Sequence, residues 1–142
     1  MIMTSKYSKY NCISCCNEEI TEAMTLFKNE NSEGALKKLK KALELAKKSK
    51  DKSSQVVVYQ ILGTCQRLSK DHEAAWTTFV EGWNLIETLD KETIVSDMSL
   101  AFYAYEMLRV ESNTKERRSY YERFNKLWGE KWEAEIFNLT NV

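Results

Sequence analysis

The chain contains no proline, only four glycines and a single histidine among its 142 residues. Because proline is the strongest breaker of helices, little except short polar turns interrupts helix formation here. Basic and acidic residues number 21 each, so the net charge is zero. That balance does not fit a protein that binds nucleic acid by neutralising many phosphates. No apolar run approaches the roughly 20 residues of a membrane-spanning helix.

The sequence also lacks the motifs of the common catalytic sites. It has no phosphate-binding loop, no nucleophile elbow, no H-E-x-x-H and no paired carboxylates at a predicted pocket. His72 follows Cys65 in the turn beyond its helix, so these two residues are not expected to form a nucleophile–base pair. The sequence therefore predicts a protein that is not an enzyme and that uses neither a cofactor nor a metal.

Four cysteines are present: Cys12, Cys15, Cys16 and Cys65. The first twelve residues lack the apolar core of a signal peptide, so a cytoplasmic location is expected, and disulfides are improbable there. The Cys12-x-x-Cys15 pair has no second pair of cysteines or histidines at zinc-like spacing. Buried or half-buried thiols are the main interpretation, and lipid modification of the N-terminal cluster stays open.

The composition is that of a soluble globular domain, with 43% hydrophobic and 30% charged residues. A chain of this length forms one domain and buries about two thirds of its unfolded surface. Residues 1–15 are polar and show no periodic pattern, so they are predicted to be a tail or an extension of the first helix. Residues 16–142 are predicted to form the folded domain.

Amphipathic helical patterns follow one another along this domain. They predict three hairpins, at about 17–50, 53–89 and 93–139, with six to seven helices in all. The second helix, about 33–50, has a small apolar face of alanine and leucine and many lysines opposite. Basic amphipathic helices can bind calmodulin or a membrane surface. The small apolar face fits packing within a hairpin, so a solvated outer face is expected instead.

The first two hairpins repeat each other with a period of forty residues. Small residues at Gly63, Ala75 and Gly82 occupy the places where two helices would touch. Shifted by forty, the matching pairs are Ala23 and Gly63, Ala35 and Ala75, Leu39 and Phe79, and Ala42 and Gly82. Ala101 begins a third copy in near register, and the register is lost in the last helix. Four positions in register indicate a repeat protein.

The run Tyr59-x-x-Leu62-Gly63 followed by Ala75-x-x-x-Phe79 resembles the tetratricopeptide repeat. The resemblance implies an all-α fold of stacked antiparallel helical hairpins, in which about three repeats form an α-α superhelix with a concave groove. It also implies that the groove binds a peptide or helix of another protein. The chain would then be an adaptor or scaffold.

Two departures from the family pattern accompany this resemblance. Gln66 replaces the second aromatic residue, and the closing proline is absent. The period of forty also exceeds the usual thirty-four, although forms with longer helices look similar.

The resemblance and the helical register together place eight residues in the groove. These are Met24, Lys28, Gln60, Ile61, Thr64, Arg67, Phe102 and Tyr105. Family members that hold the acidic tail of an Hsp70 or Hsp90 chaperone use a clamp of Lys, Arg and Asn, whereas Ile20, Met24 and Ile61 stand in the matching places. A chaperone tail is therefore not the expected partner. Replacing Arg67 with glutamate is expected to weaken binding without unfolding the domain.

The aromatic C-terminal helix supports an alternative role. Burial against the third hairpin is the main interpretation of its rings. The alternative is a structural subunit that self-associates through this helix, since exposed aromatic clusters mark interfaces. The candidate residues of such a second interface are Tyr121, Trp128 and Trp132.

Overall fold

The computed structural model describes residues 16–112 and 114–140, and over that part of the chain it contains helices and no strand. The helices are α1 (Asn17–Lys28), α2 (Ser32–Ser49), α3 (Lys52–Leu68), α4 (His72–Ile86), α5 (Lys91–Ser96), α6 (Met98–Leu108), α7 (Thr114–Trp128) and α8 (Trp132–Thr140). None of these eight helices is long and apolar enough to cross a bilayer. The predicted tail, with Cys12 and Cys15, lies outside the described residues.

Consecutive helices pack against each other along the first half of the chain. The main contacts join α1 to α2, α2 to α3, and α3 to α4. In the second half α6 is central, since it contacts α3, α4, α5, α7 and α8. The all-α class is therefore confirmed, and the first two predicted hairpins correspond to α1–α2 and α3–α4.

The turns inside these two hairpins have the same backbone geometry. Glu30 and Lys70 occupy the left-handed region, with φ of 63° and 67°. The N-cap residues that follow, Asn31 and Asp71, donate their backbone N–H to the carbonyl five positions earlier, at 2.8 and 3.0 Å. Their side chains accept the backbone N–H three positions later, at 3.0 and 3.2 Å. The forty-residue period of the sequence is therefore also a period of the structure.

The residues that define the repeat are buried in both hairpins. They are Ala23, Ala35, Leu39 and Ala42 in the first hairpin, and Gly63, Ala75, Phe79 and Gly82 in the second. A Cβ atom on Gly63 would lie 2.8 Å from the ring of Phe79, and one on Gly82 would lie 2.7 Å from Cβ of Tyr59. These distances are too short for a side chain, so the helices approach closely because both positions are glycine.

Gln66, which replaces an aromatic residue of the family pattern, forms a buried polar contact. Gln66 is only 5% exposed. Its Oε1 accepts a hydrogen bond of 2.6 Å from the hydroxyl of Thr78. This bond joins α3 to α4 where the pattern would place a ring. A satisfied buried pair of this kind links the two helices in one orientation.

The third predicted hairpin contains four helices, which brings the number among the described residues to eight, above the six to seven that were predicted. Asp97 has extended backbone, ends α5 and caps α6 by accepting the N–H of Ser99 at 3.0 Å. Gly129 has φ of 87° and ends α7. The apolar periodicity continues across both breaks, which is why the sequence alone gives too few helices. In the structure, the cap at Asp97 and the left-handed backbone of Gly129 each end a helix.

Aromatic side chains from α4, α6, α7 and α8 form the main core. The Trp83 and Phe124 rings are 4.6 Å apart and edge-to-face, and the Tyr103 hydroxyl donates a 2.9 Å bond to the carbonyl of Phe79. Complete burial raises the pKa of Tyr103 well above its ordinary value. The C-terminal aromatics therefore close the core of the repeat, as the main interpretation of them expected.

Most of the candidate second interface is buried in this core. Trp132 is 2% exposed and donates its indole N–H to Asn125 at 2.6 Å. Trp128 is half-buried and contacts both Trp83 and Trp132 at 5.8 Å. Of the three proposed residues only Tyr121, at 37%, is an exposed side chain. Trp132 is therefore an interior residue and does not belong to a surface interface.

Cys65 on α3 is a buried thiol, 3% exposed, and burial raises its pKa to about 11. Only the thiolate reacts with alkylating reagents. We expect labelling of Cys65 at mildly alkaline pH to be much slower in the folded protein than in denaturant. Stability linked to this thiol is complete below the unfolded pKa of about 8.5 and decreases as the pH rises toward 11, because the unfolded state loses its proton first. Mass spectrometry of labelled peptides measures the rates, and equal rates would contradict the burial.

Candidate functional site

The eight residues predicted to line a groove lie on three helices. Met24 and Lys28 are on α1, Gln60, Ile61, Thr64 and Arg67 on α3, and Phe102 and Tyr105 on α6. Lys28 is exposed and the other seven are half-buried. Half-buried side chains are held in place by the protein and still present a surface to a ligand.

A buried carboxylate joins α6 to α3 in the middle of this set. The Glu106 side chain is 5% exposed and receives Arg67 Nη2 at 3.0 Å. Arg109 Nη1 reaches its other carboxylate oxygen at 3.1 Å. The hydroxyl of Thr64 lies 3.5 Å from the oxygen that Arg67 contacts. One acidic group is therefore compensated by two guanidiniums, which is the condition for burying it at low cost.

Two aromatic rings extend this cluster along α6. The guanidinium carbon of Arg109 lies 5.7 Å from the centre of the Tyr105 ring, within the range of a cation–π contact. The Phe102 ring is 6.5 Å from that of Tyr105. Together these residues form the α3–α6 patch, which comprises Thr64, Arg67, Phe102, Tyr105, Glu106 and Arg109.

Sequence reasoning identified four of the six residues of the patch as site residues. It placed Glu106 on the groove face by helical register without choosing it as a site residue, and it missed Arg109. Arg109 follows Glu106 by three residues, which places both on one side of a helix, so the spacing was a usable signal. The burial of Glu106 had no such signal in the sequence, because it depends on where α3 lies.

The remaining predicted residues are not held together by these contacts. Ile61 packs partly against both buried clusters of the protein, and Gln60 lies one turn before Thr64 on α3. Met24 and Lys28 belong to α1, which packs on α2. The structure therefore concentrates the candidate site at α3 and α6, away from the predicted spread over all three helices.

The position of Arg67 changes the expected effect of its substitution. Its side chain is only 14% exposed, and its Nε atom is buried with no hydrogen-bond partner among the described residues. A glutamate there would place a second carboxylate beside buried Glu106. Arg67→Glu is therefore expected to destabilise the fold, which corrects the expectation that this substitution affects binding alone.

The chemistry that the patch offers is hydrogen bonding, charge and apolar contact. Within residues 16–112 and 114–140, no three His, Cys, Asp or Glu side chains come together as metal ligands would. His72 Nε2 faces Glu111 at 3.7 Å, and the raised pKa of Cys65 keeps its thiol protonated at neutral pH. Cys65 is therefore not an activated nucleophile.

No family model matches the sequence, and neither a curated protein nor a solved structure matches the chain. The likeness to the tetratricopeptide repeat thus rests on the residues of this chain alone.

Proposed function

We propose that the chain is an interaction module that binds a segment of another protein at the α3–α6 patch. The observation that carries the proposal is the row formed by Phe102 and Tyr105 on α6 and by Arg109 at its C-cap. This row lies beside the buried Glu106, which holds Arg67 and Arg109 in place. Tyrosine and arginine are the residues that most often supply binding energy at protein interfaces. Side chains fixed before binding lose little entropy when a partner docks.

The likeness to the tetratricopeptide repeat supports the same proposal. In that family a partner peptide or helix lies in the groove formed by the first helices of the hairpins. The helices that carry the patch, α3 and α6, correspond to first helices by the register of Gly63 and Ala101. Under this proposal the protein is an adaptor or scaffold and performs no catalysis.

The charges and rings of the patch indicate what the partner segment presents. Two guanidiniums and one carboxylate leave an excess of one positive charge. Arg109 is the accessible cation, with 48% of its side chain exposed. A segment with an apolar side chain for Phe102 and Tyr105 and a carboxylate for Arg109 fits this surface.

We expect the double substitution Tyr105→Ala and Arg109→Ala to reduce partner binding by about tenfold or more, because each removes a contact of the type that dominates interfaces. Quantitative affinity purification from cells compares this variant with the unchanged protein. The matched control is Val95→Ala with Arg118→Ala, which removes an exposed apolar residue and an exposed arginine from α5 and α7. Circular dichroism checks that all three proteins are folded. A partner that is retained by the patch variant and lost by the control would place the interface elsewhere.

Self-association is a second candidate, favoured by the exposed rings of the C-terminal helices. Tyr121 on α7 is 37% exposed and Phe137 on α8 is 54% exposed. Two such rings could join copies of the chain as a structural subunit. Light scattering at high protein concentration tests this candidate, since a strict monomer removes it.

A further inference from the structure

The outer face of α2 carries a continuous row of lysines. Lys37, Lys41 and Lys48 share one side of the helix by their spacing of four and seven residues, with Lys40 and Lys47 alongside. All five are exposed. The opposite face is fully buried and consists of Ala35, Leu39, Ala42 and Ala46. The lysines therefore lie on the exposed side of the helix, and their charge is concentrated in one stripe.

Most of this positive charge is not neutralised within the protein. Lys38, on the flank of the helix, pairs with Glu22 at 2.8 Å, and Lys47 lies 5.9 Å from the Tyr59 ring. Lys37, Lys40, Lys41 and Lys48 form no ion pair with a described residue. Eight lysines and two carboxylates fall between residues 37 and 52, in a chain with 21 of each sign overall. A neutral protein therefore has one strongly positive face.

The composition of this face distinguishes among anionic partners. Protein interfaces are depleted in lysine and enriched in aromatic residues and arginine, and the stripe contains only lysines with one glutamate, Glu44. Sites for single-stranded nucleic acid interleave aromatic rings on which bases stack, and none lies in the stripe. Groups of four to eight basic residues on an amphipathic helix are typical of contact with anionic lipid headgroups. The row extends from Lys37 to Lys48 within this helix, which is roughly 17 Å, a length suited to a flat surface.

We propose that the outer face of α2 binds the headgroups of an anionic phospholipid bilayer. This surface is separate from the α3–α6 patch and does not depend on it. The large hydrophobic side chains that are exposed, among the described residues, are Leu68, Val95, Tyr121 and Phe137. None of them is on α2, so the contact is electrostatic and does not insert into the bilayer. Binding of this type is reversible and weakens as salt screens the charges.

The test is co-sedimentation of the full chain with vesicles of phosphatidylcholine, with and without a phosphatidylserine fraction. Binding is expected only with phosphatidylserine at low ionic strength. Each lysine near the surface contributes about fivefold to the partition constant, so Lys37→Gln, Lys41→Gln and Lys48→Gln together should lower it about a hundredfold. The matched control removes three exposed cations from α7, with Lys115→Gln, Arg117→Gln and Arg118→Gln. That control should bind nearly as well as the unchanged protein.

Several outcomes would overturn the proposal. They are binding to pure phosphatidylcholine, absence of binding at low ionic strength, and equal losses in the two triple variants. Binding to a short RNA or DNA duplex without binding to vesicles would assign the lysines to nucleic acid. Salt-dependent self-association that the α2 variant abolishes, again without vesicle binding, would assign them to a second copy of the chain. Circular dichroism of both variants excludes unfolding, which is not expected because all six side chains are exposed.

Discussion

Replacing Glu106 with glutamine is expected to lower the free energy of unfolding by about 3 kcal/mol. The Glu106 side chain is 5% exposed and forms ion pairs with both Arg67 and Arg109. Removing its charge leaves the Arg67 guanidinium, 14% exposed, without a counter-ion. Breaking a buried ion pair from one side is costly for that reason. Urea unfolding followed by circular dichroism measures the change.

Two further variants identify the cause of the loss. Arg109→Gln removes the other cation, but that side chain is 48% exposed, so the expected cost is below about 1 kcal/mol. The double variant Arg67→Met with Glu106→Gln should be less destabilised than the sum of its single variants, because no unpaired charge remains buried. If Glu106→Gln proved as mild as Arg109→Gln, the ion pair would not be what joins α6 to α3.

Replacing Gly82 with alanine is expected to cost about 3 kcal/mol, the upper part of the usual range for overpacking a core. Its Cβ would lie 2.7 Å from Cβ of Tyr59 and closer still to the Tyr103 hydroxyl. That hydroxyl is held by its bond to the Phe79 carbonyl, so it cannot move without losing a buried hydrogen bond. Thermal or urea unfolding measures the effect.

Gly34→Ala is the control for this substitution. Gly34 is also a helical glycine, and the atoms nearest to its Cβ would be those of the Asn31 side chain, 2.9 to 3.1 Å away. That side chain caps α2, but it is exposed and can shift more easily than a buried group. Alanine favours helix by about 1 kcal/mol relative to glycine, so the net change is expected to stay within about 1 kcal/mol. Similar losses in both variants would mean that helix propensity, and not the contact of α4 with α3 and α6, decides the effect.

These stability effects bear on how the proposed binding site is tested. A cation on a predicted groove face suggests a ligand contact, so the sequence alone favours Arg67 as the position to substitute. In the structure it compensates Glu106, so a variant there would lose binding and folding together. Tyr105 and Arg109 are better positions, since they lie at the surface of the same patch and can be changed at lower cost.

The hairpins and their turns were predictable because the interactions that produce them are local. Asp71, for example, stands directly before an amphipathic run and caps α4 by accepting the N–H of Ala74. The forty-residue period was visible as small residues in register, and it reappears in the left-handed residues Glu30 and Lys70. The breaks at Asp97 and Gly129 were missed because the apolar periodicity continues through them.

The sequence by itself determined the helical class, the two repeated hairpins and the exposed lysine face of α2, because each follows from the spacing of residues along a single helix or across one turn. Tertiary structure decided which side chains from distant parts of the chain meet. Arg67 pairs with Glu106, Trp132 is buried in the core, and Tyr105 and Arg109 contact each other at the surface. These outcomes depend on how α6 and α8 approach the other helices, and that approach is set by contacts between residues far apart in the chain, such as Gly82 with Tyr103.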